Sequence, residues 1–144
     1  MSDPNDAGFP EAGLSDHRPS EPSLRDRGSS IRRRVLGDAH VDRAGSAADP
    51  FQALITDAAW GHVWARDTIP LRERSMITIA LLAGLGNDHE LALHIRATAR
   101  TGATEADVME ALLHVAIYAG VPRANHAILV AKQTFAAMAR GDLP

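Results

Sequence analysis

The 144-residue sequence contains no cysteine, so it has no disulfide framework, no thiol nucleophile and no thiolate metal site. No run of eighteen apolar residues occurs, which leaves no candidate for a membrane-spanning helix. Nor does any stretch alternate in the manner of a strand: β-branched residues are scattered inside helical periods. Aromatic residues make up 4% of the chain, and Lys132 is the one lysine among the basic residues of 31–144. A formal net charge of −3 gives no electrostatic case for nucleic acid. The opening MSDPNDAGFPEAG is acidic and lacks an apolar stretch, unlike a secretory signal or an Arg-rich transit peptide. The expectation is a cytoplasmic enzyme or binding protein.

What is present divides unevenly. Residues 1–30 hold three arginines and six acidic residues and account for the whole −3, whereas residues 31–144 carry twelve of each sign. With Pro4, Pro10, Pro19 and Pro22 and almost nothing apolar, residues 1–30 are expected to be a disordered tail. Residues 31–144 are expected to form one domain. Ile31, Val35 and Leu36 suggest a short helix or docking arm ended by Gly37, and GDAHVDRA then reads as a polar loop.

The rest reads as five helices, an all-α domain of about five to six in total. The first opens at Asp49-Pro50, an N-cap followed by proline at the first helical position. The second runs from Leu71 to Ala83 before Gly84 and Gly86. A third lies between Asn87 or Asp88 and Gly102. Thr104 caps the fourth, with Asp107 completing a weak capping box. After Gly120-Val121-Pro122 the fifth covers about Arg123–Arg140. The second and fourth helices are apolar nearly all round, more than five helices can cover, so a homo-oligomer is expected.

Several residues could carry chemistry. Glu90 and His94, four apart, share a helix face, and a carboxylate so placed can fix the tautomer of an imidazole and raise its basicity. The plain alternative is a surface pair worth about 0.2–0.5 kcal/mol. Glu110, His114 and Tyr118 repeat the spacing, with a core-edge histidine as the plain alternative. Trp60 and Trp64 either wall a small-molecule pocket or fill a core or subunit contact. Arg72 and Arg74 stand at a helix N-terminus, where the macrodipole opposes cations, so each calls for a carboxylate from the protein or a ligand. Arg32, Arg33 and Arg34, with His40 and Arg43, form another basic cluster, or merely a solvated charge run. Seven histidines include no His-x-x-x-His pair, and no metal is expected.

GDAHVDRA, ITDAAWGHVWARD, RSMITIALLAGLG, ELALHIRATARTG and AIYAGVPRANHA resemble, in order and spacing, the carboxymuconolactone decarboxylase family, over about residues 31–138. The wider superfamily includes alkylhydroperoxidase-like proteins with a Cys-x-x-Cys pair before a histidine. Here His94 matches that histidine, Asn87 and Glu90 stand at the cysteine positions, and the relatives' upstream glutamate falls at about Ser75, so thiol peroxidase chemistry is excluded. The resemblance implies an all-helical alkylhydroperoxidase-like fold assembled as a trimer or hexamer. It also implies cofactor-free decarboxylation of 4-carboxymuconolactone, a dicarboxylate lactone, to β-ketoadipate enol-lactone and CO2.

For that reaction His94, oriented by Glu90, is the expected proton donor, with His40 and His114 as competitors. Arg72, Arg74 and Arg43 are the expected carboxylate anchors, and Trp60, Trp64 and Tyr118 the apolar wall. The alternatives are a decarboxylase acting on a related unsaturated acid, or a non-catalytic helical oligomer that binds a small acid or a partner protein.

Overall fold

The computed structural model describes residues 21–45 and 49–142, and every regular element among them is helical. Helix α1 is Leu24–Leu36, α2 Asp38–Arg43 and α3 Pro50–Ile55. A π-helical segment, Thr56–Trp64, continues α3 directly. Then follow α4 Leu71–Leu85, α5 Asp88–Thr101, α6 Glu105–Tyr118 and α7 Val121–Ala139.

The N-terminal boundary differs from expectation. Helix α1 begins inside the stretch expected to be disordered, so residues 24–30 are ordered helix; residues 1–20 lie outside the described residues. The cause is local. Ser23 accepts from the Asp26 amide while the Asp26 carboxylate accepts from the Ser23 amide, a reciprocal capping box. Gly28 then packs against the π segment, where a Cβ would collide with the Thr56 carbonyl oxygen. GDAHVDRA is a second correction: it contains helix α2 rather than a loop. Gly37, at φ +87°, ends α1 and starts α2, as only a residue without a Cβ does comfortably.

The remaining punctuation follows the sequence closely. Asp49 caps α3 with Pro50 at its first position. Thr104 and Asp107 form the expected capping box on α6. Gly86, left-handed at φ +76°, ends α4, while Gly84 lies inside that helix.

Two apolar clusters hold the helices together. The larger gathers Ile79, Leu91, Ile95, Val108, Leu112 and Val115 with the alanines of α7. The smaller joins Val35, Leu36, Trp60, Trp64, Leu93 and Ala97. Helix α5 belongs to both: Leu91 and Ile95 face one cluster, Leu93 and Ala97 the other. That double burial fixes the rotation of α5, and hence the aim of Glu90 and His94 between the two faces. No described helix is long and apolar enough to cross a membrane.

Candidate active site

A cavity of about 520 Å3 opens beside the smaller cluster, lined by Arg32, Leu36 and His40 from α1 and α2, Phe51, Gln52 and Ile55 from α3, Trp60 and Trp64 from the π segment, and Glu90, Leu93 and His94 from α5. A size of this order suits a small organic molecule.

The π segment sets the aromatic wall. Its backbone closes one residue later than an α-helix, as in the Ala65 amide donating to the Trp60 carbonyl at 2.8 Å. Both indoles are buried, with centroids 5.1 Å apart at 30°. The imidazole of His94 stacks on both, 6.5 Å from Trp60 at 10° and 5.8 Å from Trp64 at 24°. These separations fall in the range where ring faces attract. The segment is held from behind by α1, through the Gly28 approach and a two-pronged ion pair between Arg25 and Asp57.

His94 is 8% exposed, and its Nδ1 is buried without a hydrogen-bond partner. Burial pushes its pKa below the ordinary histidine value; Glu90 opposes that shift, and His40 adds to it. Glu90 does not bond His94 as expected; among the described residues its carboxylate meets the His89 ring nitrogen, at 3.4 Å. The carboxylate is half exposed and acts on the imidazole through space. His40 also has a lowered pKa, first from burial and then from the charges of Arg32 and Arg43.

The structure thus brings His94, Glu90, His40, Trp60 and Trp64 to one cavity and leaves the other expected residues outside it. Arg72 pairs with Asp107, its Nε donating at 3.0 Å, and with Glu73 at 3.1 Å. The carboxylate it required is therefore the protein's own, at the capped start of α6. The Arg74 guanidinium donates to the Arg66 carbonyl at 2.9 and 3.2 Å. His114 and Tyr118 stack on one another on an exposed face of α6, with centroids 6.3 Å apart. Arg43 lines a neighbouring cleft of about 500 Å3 with Arg96 and Arg100, which touches the cavity through His40, Leu36 and Leu93. Ser75, at the superfamily's glutamate position, is wholly buried in α4 and does not line the cavity. Among the described residues no three His, Asp or Glu side chains converge on a point that would hold a metal ion.

Two polar side chains in the wall, Arg32 and Gln52, were not assigned to the site from the sequence. Arg32, read there as one of a charge run, is 9% exposed. Its guanidinium donates to Gln52 Oε1 at 2.8 Å and to Thr56 Oγ1 at 3.3 Å, while its Nε–H is buried with no acceptor. Enclosing a cation without an opposite charge costs several kcal/mol at the limit, and burial accordingly lowers the Arg32 pKa, with Arg33 adding to the effect. The usable signal was periodicity: Gly28, Arg32, Val35 and Leu36 are the buried residues of α1, one stripe at helical spacing.

The sequence model of a family described as the carboxymuconolactone decarboxylase family matches residues 49–133. A 4-carboxymuconolactone decarboxylase of Acinetobacter baylyi is 39% identical over 113 residues, which is 76% of this chain and 84% of that protein. A nitrosuccinic acid decarboxylase of Metarhizium robertsii is 40% identical over 115 residues, 77% of this chain and 80% of that protein.

Proposed function

The chain belongs to the carboxymuconolactone decarboxylase family and is a carboxy-lyase, and we propose that it converts 4-carboxymuconolactone to β-ketoadipate enol-lactone and CO2 in the cavity at His94. The observation that carries this reading is the buried imidazole stacked on two indoles in a pocket whose wall also holds a guanidinium.

The substrate supplies its own electron sink. The leaving carboxylate sits on the ring carbon next to the ring oxygen. As its C–C bond breaks, the electron pair passes through the ring double bond onto the lactone carbonyl, giving a dienolate. A proton added at the α-carbon then yields the enol-lactone. The protein has to exclude water, hold the retained carboxylate, and move one proton to carbon. Trp60, Trp64 and Leu93 supply the dry wall, and His94 is the proton carrier. Burial favours its neutral imidazole, and the arrival of an anionic substrate favours the protonated form. The substrate thereby charges its own acid. Glu90, lowering the cost of the imidazolium through space, acts in the same direction.

A second reading is supported by the similarity to a nitrosuccinic acid decarboxylase. Nitrosuccinate is also a dicarboxylate with a built-in sink, since its nitro group accepts the electron pair released with CO2. The same inventory serves either compound. Purified protein given each compound in turn, followed by ultraviolet absorbance and CO2 release, tests the choice. Acceleration with carboxymuconolactone is expected, and the spontaneous rate with that compound overturns the assignment.

We also propose that the enzyme works as a homo-oligomer, a trimer or hexamer. Ile77, Leu81 and Leu85 form an exposed stripe on α4, and Leu113, Ile117 and Tyr118 form one on α6. Apolar surface of that extent on neighbouring helices usually marks an interface.

A further inference from the structure

The guanidinium of Arg32 is a buried charge with no acidic partner among the described residues. Arginine remains protonated across the working pH range, so the cavity wall holds a full positive charge. Its partners, Gln52 and Thr56, are neutral. A second cavity borders it, and the one acid lining that cavity, Asp42, is bound by Arg33 at 2.7 Å. Glu90, which shares the His94 cavity, makes no hydrogen bond with it; its close contact is His89. A protein that needed only packing here would do better with an uncharged side chain of similar length, because a buried cation without its counter-charge is a liability. Gln52 and Thr56 meanwhile fix the plane of the fork, which is what bidentate capture of a carboxylate requires.

We propose that Arg32, oriented by Gln52 and Thr56, is the carboxylate receptor of the His94 cavity, and that it binds the carboxylate the substrate keeps rather than the one it loses. The choice between the two carboxylates follows from chemistry. An ion pair to the departing group stabilises the ground state and is lost as CO2 forms, so it slows the reaction. An ion pair to the retained group persists through the transition state and costs nothing. It also serves either candidate substrate, since each retains one carboxylate. The roles of carboxymuconolactone and His94 come from the functional reading above, whereas the receptor itself can be tested without turnover.

The test uses adipate, a saturated dicarboxylate that cannot react, titrated calorimetrically into the wild-type protein and into Arg32→Met and Arg32→Lys. Wild type is expected to bind, Arg32→Met to lose about 10- to 100-fold in affinity, and Arg32→Lys to fall between them, because an ammonium keeps the charge but not the fork. In turnover, each variant should raise KM by about the factor it loses in adipate affinity, with a smaller effect on kcat, the signature of binding shared by ground and transition states. Denaturant unfolding separates this from a structural role: Arg32→Met should unfold no more easily than wild type. If Arg32→Met fails to fold, Arg32→Lys carries the comparison. Equal adipate affinity in wild type and Arg32→Lys with an unchanged KM, or wild type that binds neither adipate nor the lactone, overturns the proposal. Arg32-dependent adipate binding in a protein that leaves carboxymuconolactone untouched upholds the receptor and sinks the substrate.

Discussion

The imidazole of His94 lies 5.8 Å, centroid to centroid, from the indole of Trp64, and the two rings come from helices that differ in kind, one α and one π. The contact makes the site depend on the winding of one segment as well as on the rotation of another. A histidine stacked in this way keeps its ring plane but has a buried nitrogen without a partner.

Replacing His94 by Asn should lower kcat by about 100- to 10,000-fold, the usual worth of a positioned proton carrier. Adipate affinity should fall less than in Arg32→Met, because the imidazole contributes only through the charge it takes up with the anion. Steady-state kinetics with carboxymuconolactone decide the matter, and full turnover in the variant removes His94 from the mechanism.

Stability should fall as pH drops from about 7.5 to 5.5. The folded-state pKa values of His94 and His40 are depressed, so the unfolded chain binds these protons first, and stability is lost from the ordinary histidine pKa of about 6.5 downward. Urea midpoints across that range should show a smaller drop in His94→Asn than in wild type. An identical drop would show that His94 does not titrate as its burial requires.

Asp107 behaves oppositely in chemistry but alike in sign. Arg72, followed by the Thr104 amide and hydroxyl, holds its pKa at about 2. Its contribution is complete above the ordinary carboxylate pKa and disappears as pH falls through about 2. Asp107→Asn should therefore be less stable than wild type at pH 7, and the gap should close toward pH 2. A gap independent of pH would assign the loss to the cap geometry alone.

A methyl group at Gly28 has nowhere to go, because the nearest atom is backbone, the Thr56 carbonyl oxygen. Gly28→Ala should cost about 1–3 kcal/mol of stability, read from denaturant unfolding. It should also push α1 off the π segment and raise KM, since Arg32 lies one turn further along the same face. Wild-type stability in the variant contradicts the packing described.

Charges placed on the exposed apolar stripes should break the proposed assembly. Leu81→Glu and Ile117→Glu sit at 61% and 78% exposed positions in the monomer, so neither should disturb the fold itself. Light scattering after gel filtration should report a smaller species than wild type. An unchanged mass places the interface elsewhere.

Much of the fold could be read in the sequence because its signals were local. Asp49-Pro50, the Thr104–Asp107 box and Gly86 each mark a boundary through chemistry confined to a few neighbouring residues. The end of helix α1, Ile31 to Leu36 before Gly37, was legible, but its first turns escaped because their capping box, Ser23 and Asp26, sits in a proline-rich, charged stretch whose composition outweighed the cap. The π winding of Thr56–Trp64 leaves no local signature, and it depends on α1 packed against Gly61 and Thr56.

The site divided along the same line. His94, Glu90, Trp60 and Trp64 could be found by spacing on single helices. Arg72 and Arg74 were misplaced because a charge at a helix start looks the same whether its partner is a ligand or Asp107, thirty-five residues away. His114 and Tyr118 share a face, as their spacing indicates, but the face is the outer one. Arg32 was hidden by its neighbours: in a run of three arginines only the three-dimensional packing tells which one points inward.

The close crossing of α1 and the π segment has a consequence for how the protein can be divided. The family-matched span starts at residue 49, whereas Arg32, Leu36 and His40 precede it in the chain and are brought back to the cavity by the Gly28 contact. A fragment trimmed to residues 49–133 would keep His94 and both indoles and lose Arg32 and His40 from the cavity. On the roles proposed for His94 and Arg32, reaction and recognition lie on different stretches of polypeptide, and grafting residues 21–45 from one relative onto another becomes a way to change which acid is accepted without touching His94.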